Sequence, residues 1–167
     1  MFRQIALLVT ALSIGMAPAA LAQIGAGFKP YLDSTYGYSA QLPLDDFAVV
    51  DPQGTPGIAL REIGGQATIN LYGGPAAGMT RDALEQRLEA GAGTSTTTYR
   101  AGGNSWFVLS GYYDRAQPQD TIFYTKVLFS ADQQTFSAFE ITFPAGDKPR
   151  FAPLVEHFED TFTRPRP

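Results

Sequence analysis

The sequence contains no cysteine, one histidine and one tryptophan. Without cysteine there is no disulfide and no thiolate-bound metal, and an exported chain of this kind must be held by its core. The lipid-modified cysteine that tethers bacterial lipoproteins is missing too. With His157 as the single imidazole and no acidic cluster beside it, a zinc site has too few ligands. Beyond residue 22 no apolar run is long enough to span a bilayer. A basic surplus is also lacking. Without Arg3, 11 basic residues face 16 acidic ones, a net charge of −5 with histidine neutral. That balance argues against a nucleic-acid partner, which needs a cationic face to release counterions, and disfavours docking on anionic lipid.

What is present begins with an address. Met1-Phe2-Arg3 is a short cationic start, residues 5–22 are apolar and rich in small residues, and Ala20-Leu21-Ala22 closes the run. This is a signal-peptide pattern with cleavage expected after Ala22, so the protein is expected to be periplasmic, without a membrane anchor. Removing 22 of the 167 residues leaves 145, a common single-domain size. Residues 23–33, with Gly25, Gly27 and Pro30, show no periodicity and read as a flexible lead-in. Residues 34–163 then form the single domain and 164–167 a tail.

The strongest secondary-structure signal lies in residues 104–143. Three β-branched and aromatic runs there are separated by short polar breaks at 114–120 and 130–134. They predict the antiparallel centre of a sheet. Before them, residues 36–42 and 47–50 read as strands, and 58–63 with 67–72 as a hairpin around Gly64-Gly65. In its second strand Ala67, Ile69 and Leu71 share one face and Thr68, Asn70 and Tyr72 the other. Thr80 is a candidate N-cap for a short helix over 81–90 with a thin Leu84/Leu88 stripe. Residues 94–100 read as a strand that turns at 101–104 into the Trp106 run. From 148 to 162 the residues Phe151, Leu154, Val155, Phe158 and Phe162 draw one stripe at helical spacing. Strands followed by a helix, twice over, predict an α+β fold: an antiparallel β-sheet flanked by helices, an α/β/α sandwich.

Alternation within the central strands suggests two unlike faces. Phe123, Val127 and Phe129, with Phe139, Ile141 and Phe143, make a wholly apolar set expected to carry the C-terminal helix. The opposite set is mixed. It is expected to present Tyr72, Tyr124, Lys126 and Glu140, an aromatic surface with a few charges of the kind ligand sites use. The competing structural account packs the two tyrosines under a helix or loop and pairs Lys126 with Glu140.

Tyr36-Gly37-Tyr38 leading to Leu42-Pro43, the hairpin ending in Leu71-Tyr72-Gly73, the run Ser105 to Gly111, Phe123-Tyr124-Thr125-Lys126-Val127, Phe139 to Pro144 and the closing Phe151–Phe162 stripe together resemble the PsbP-like superfamily. More narrowly, they are similar to uncharacterised exported bacterial proteins of that fold. The resemblance spans nearly the whole chain after residue 22. It implies a sandwich around an antiparallel sheet and a non-enzymatic binding or assembly role. No residues matching the photosynthetic members' functional positions are present, so their role is not carried over.

The remaining motifs point to ordinary structure. Residues 73–80, Gly-Gly-Pro-Ala-Ala-Gly-Met-Thr, are one residue from a phosphate-binding loop, but Met79 stands where the lysine must be. Gly103-Asn104-Ser105-Trp106 lacks the glycine that follows a nucleophile elbow's serine. Asp45, Asp46, Asp51 and Asp114 do not make the regularly spaced acidic loop that calcium requires. No cofactor is expected. The function that emerges is a non-enzymatic periplasmic binding protein for an unknown protein or small envelope ligand, as a monomer or a homodimer. The alternative is a small hydrolase using His157 with a nearby carboxylate. A pocket holding His157 with a carboxylate and a hydroxyl would favour it.

Overall fold

The three aromatic runs are neighbouring strands. A computed structural model describes residues 27–52, 54, 56–91, 95–113 and 120–167. The leader, its cleavage site and residues 114–119 of the first central break lie outside the described residues. In chain order the elements are β1 (Phe28–Leu32), β2 (Ser39–Pro43), β3 (Phe47–Val50), β4 (Ile58–Glu62), β5 (Thr68–Pro75), α1 (Arg81–Gly91), β6 (Ser95–Gly103), β7 (Trp106–Tyr113), β8 (Thr121–Phe129), β9 (Thr135–Pro144) and α2 (Lys148–Thr161). A single 3-10 turn, Ala145–Asp147, leads into α2.

Seven strands form one antiparallel sheet in the order β3-β4-β5-β9-β8-β7-β6, while β1 and β2 form a separate ribbon. The halves of the chain meet where β5 pairs with β9, Ile69 opposite Ile141 and Leu71 opposite Phe139. The α+β sandwich is as expected. α2 and the ribbon cover one face of the sheet, and α1 lies on the other.

Three segments differ from the sequence reading. Part of the expected lead-in, Phe28–Leu32, is a strand paired to β2, with Phe28 opposite Pro43. The pairing supplies an order that the segment's Gly and Pro content conceals. The tail is docked as well. Arg166 donates its backbone N–H to Tyr36 O at 3.0 Å, Ser137 Oγ donates to Thr163 O at 3.1 Å, and Pro165 is buried. Gly73 and Gly74 are ladder residues of β5, opposite Ser137 and Phe136, and not part of an open loop. Backbone amides held in a ladder cannot cradle a phosphate.

The closing helix follows its pattern. Phe151, Leu154 and Phe158 are buried, and Phe162 packs beside them at the C-cap. Pro149 stands in the first turn, where its missing N–H leaves no intrahelical bond unmade. Phe158 and Phe162 meet Phe139 at ring-centroid distances of 5.4 and 5.2 Å, and Phe151 stacks on Phe143 at 4.9 Å. Each such side chain removed from water contributes on the order of 2 kcal/mol.

The face assignment of β8 is reversed relative to the sequence reading. A break at 130–134 would pair Phe129 with Thr135. The actual loop is one residue shorter, with Ser130 N–H bonded to Thr135 O at 3.0 Å and Phe129 opposite Phe136. Asp132 fixes it, its carboxylate accepting from Ser130 Oγ at 2.6 Å and from the Gln134 N–H at 3.1 Å, with Gln133 at φ 57°. A one-residue change of register moves every side chain to the opposite face. Ile122, Tyr124, Lys126 and Leu128 therefore share the α2 face with Ile141 and Phe139. Phe123, Thr125, Val127 and Phe129 share the α1 face with Thr142, Glu140, Ala138 and Phe136.

Candidate functional site

The four residues expected on one mixed face divide two and two. Tyr124 and Lys126 belong to the α2 side, and both are engaged by Glu159 of that helix. Tyr124 donates its hydroxyl proton to Glu159 Oε1 at 2.7 Å, and Lys126 Nζ lies 3.1 Å from Glu159 Oε2. Burial and the Glu159 carboxylate push the Tyr124 phenol well above its ordinary range. The pairing of Lys126 with Glu140 does not form, because β8 presents Lys126 and β9 presents Glu140 to opposite faces. This pair of residues ties the helix to the sheet.

Tyr72 and Glu140 stay together on the α1 side. There the helix covers only part of the sheet. Thr80 caps α1, its Oγ1 accepting the Ala83 N–H at 3.1 Å, and Leu84 is its one fully buried apolar side chain. Ionic contacts to β6 hold the rest. Glu85 accepts from Arg81 at 2.7 Å and from Arg100 at 3.0 Å, and Glu89 takes the other guanidinium nitrogen of Arg100 and the Thr97 hydroxyl. The Arg100 contacts hold the Glu89 carboxyl below its usual range.

Between α1 and the exposed part of β5 and β9 the sheet face is a groove. Its α1 end has a volume of about 480 Å³. Leu109, Phe123, Leu88 and Tyr72 give it apolar walls, and Asn70, Thr125, Glu140, Glu89 and Arg87 place polar groups in it. Gly57, at φ 125°, brings the loop before β4 against the Leu71 carbonyl, where any Cβ would collide. That approach helps close the groove on the β4 side. Asn70 and Glu140 also line an open continuation of about 500 Å³ over Arg61, Thr68 and Thr142.

Glu140 is the most unusual group in the groove. Thr125 Oγ1 donates to its Oε2 at 3.1 Å. Desolvation raises its pKa above the ordinary glutamate range, and the Thr125 and Tyr113 hydroxyls only partly oppose that. Burial, and secondarily the Glu140 charge, raises the Tyr72 phenol in turn. Among the described residues no ion pair reaches Glu140. Sequence reasoning passed over Thr125, although it was the one polar residue interrupting Phe123, Val127 and Phe129. Asn70 was legible as a polar-face residue but was not singled out.

His157 lies elsewhere. Its ring stacks on Phe28 of β1 at 3.6 Å and 19°, and Nε2 is enclosed without a hydrogen-bond partner. Burial lowers its pKa, with Asp160 opposing. Among the described residues no group of three His, Asp or Glu side chains is placed to hold a metal, and no helix is long and apolar enough to cross a membrane.

With this geometry in view, the chain can be compared with known structures. Cyanobacterial PsbP from Synechocystis superposes with a TM-score of 0.60, covering 94% of this chain and 98% of its own at 13% sequence identity. The fold is PsbP-like. The Saccharomyces cerevisiae Ran-binding protein Mog1p matches the same PsbP-like architecture, with a TM-score of 0.56 over 82% of this chain and 95% of its own at 10% identity. No family model matches the sequence, and no curated protein matches it. At these identities the likeness is one of fold, and it agrees with the strand and helix layout on which the resemblance was first drawn.

Proposed function

We propose that this is an exported, periplasmic, non-enzymatic binding protein that works through the polar and aromatic sheet face beside α1. The observation that carries the reading is the contrast between the two sides of the sheet. One is sealed by α2, while the other leaves a groove with apolar walls and convergent polar groups, the form that ligand and partner sites take. A neighbouring fold that binds Ran supports a protein-interaction role for this kind of scaffold. The leader pattern of residues 1–22 supports export. The His157 ring, stacked under β1 with Nε2 unpartnered among the described residues, supports a non-catalytic role over the hydrolase alternative.

The test separates face from scaffold. The full chain, expressed with its leader, is recovered from the periplasmic fraction and used to capture envelope components. Asn70→Arg places a bulky cation in the groove, and Val49→Arg places one on the exposed edge strand. Capture should fall at least tenfold with Asn70→Arg and stay within twofold with Val49→Arg. Equal capture by both variants removes the groove from the account. Retention in the cytoplasm with the leader intact removes the localisation.

A further inference from the structure

We propose that the α1 end of the groove binds a small organic amine, its ammonium set against the Glu140 carboxylate and its apolar or aromatic body against Phe123, Leu88 and Tyr72. This deepens the reading of the α1-side face and rests on it. The cavity, about 480 Å³, is within the range of small-molecule sites and too large for a lone ion. Part of its wall is apolar, formed by Leu88, Leu109 and Phe123, and that part suits an occupant with an apolar body. The lining carries three charged groups, Glu140, Glu89 and Arg87, and among the described residues neither Arg87 nor any other cation forms an ion pair with Glu140. Glu140 has roughly four acceptor positions. The donors that reach it are neutral hydroxyls, Thr125 and Tyr113, and no cation pairs with it among the described residues.

A carboxylate so placed is costly to keep ionised. A cation on the neighbouring strand, Lys126, faces the other way and is held by Glu159. Among the described residues the Glu140 carboxylate therefore meets neutral donors alone, and burial raises its proton affinity. A metal ion fits poorly. The second carboxylate of the lining, Glu89, is taken up by Arg100 and Thr97, and the remaining groups do not form a cluster of three ligands. Organic ammonium suits the site because it satisfies Glu140 while the tyrosine and phenylalanine faces contact its carbon-bound surface.

The test uses three probes on the full chain, followed by backbone amide NMR. Phenethylamine supplies the cation and the aromatic body, 2-phenylethanol the same body without charge, and phenylacetate the opposite charge. Phenethylamine should shift the Asn70, Tyr72 and Thr125 amides saturably, binding at least tenfold tighter than 2-phenylethanol, with phenylacetate not binding. Glu140→Gln should abolish the amine's advantage while leaving the rest of the spectrum in place. Acidification should weaken amine binding in the wild type and not in Glu140→Gln. Equal binding of amine and alcohol, or amine binding unaffected by Glu140→Gln, overturns the proposal. So does the absence of any saturable shift. If no amine binds but capture still depends on Asn70, the small-ligand inference fails and the face stands. If Asn70→Arg also leaves capture unchanged, the face itself is lost.

Discussion

The two helices close the two faces of one sheet by different means. α2 is held by rings. Phe151, Leu154 and Phe158 are buried against Phe139, Ile141 and Phe143, and the Tyr124–Glu159–Lys126 contacts fix its outer edge. α1 is held by buried Leu84, half-buried Leu88 and a chain of ions, Arg81–Glu85–Arg100–Glu89. Apolar packing fixes a helix at a definite depth, since interiors are close-packed and do not deform smoothly. Ion pairs at a partly wet surface contribute little each and tolerate adjustment. The groove thus lies on the side of the sheet that ion pairs, more than stacked rings, hold to its helix.

The contrast can be broken from the α2 side first. Phe158→Ala should cost about 3–5 kcal/mol, because it empties a fully buried site between α2 and Phe139. Urea unfolding followed by circular dichroism reads this as a large fall in midpoint at unchanged slope. Leu84→Ala on α1 should cost less, about 2–3 kcal/mol, since a helix bordering a groove can settle into the space. Its second signature is local, with the α1 amides exchanging faster than those of α2 under native conditions. Equal losses for the two substitutions would mean that both faces are equally sealed.

Glu140→Gln sharpens the comparison in the opposite direction. The carboxyl has a folded-state pKa above its unfolded value, so its protonated form favours the fold and its ionised form opposes it. The stability it lends is present at low pH and is lost as pH rises through the raised pKa. An amide cannot ionise. The variant should therefore be more stable than wild type at pH 7 to 8, by less than Leu84→Ala removes, and the gain should vanish in acid. A variant that is destabilised at neutral pH would show that the carboxylate is well satisfied.

Much of the fold was open to the sequence because the signals are redundant. The α2 stripe repeats over Phe151, Leu154, Val155, Phe158 and Phe162, and no single position decides it. The central runs carry enough β-branched and aromatic residues that strand identity survives errors at their ends. The site was less legible because it depends on parity. Whether Lys126 or Thr125 lies beside Glu140 turns on a single residue in the loop after Phe129. Five residues or four in that break both look like a hairpin. Asp132 and Ser130, whose side chains set the shorter loop, were the available clue. Segment β1 was hidden for another reason. Its burial alternates only weakly, and it is ordered by pairing with β2.

The smallest effect concerns the rim of the α2 side, where β1 lies on the helix through Phe28 and His157. Burial depresses the His157 pKa, and Asp160 on the same helix works against that. A depressed histidine means that the unfolded chain takes up the proton first. Stability from this group is therefore whole above the ordinary histidine range and declines as pH falls through it. His157→Phe keeps a ring against Phe28 and removes the titration. Between pH 7.5 and 5 the wild type should lose more stability than His157→Phe, by less than about 1 kcal/mol, because the ring is only partly buried. The quantity to measure is the difference between the two urea midpoints at each pH, which cancels the carboxylates common to both proteins. If His157→Phe loses as much as wild type, the imidazole remains neutral or solvated in both states. Acid loosening of β1 would then have to start from another group. If the difference is confined to the amides of β1 and α2, the ribbon opens as a unit of its own while the sheet and its groove stay intact.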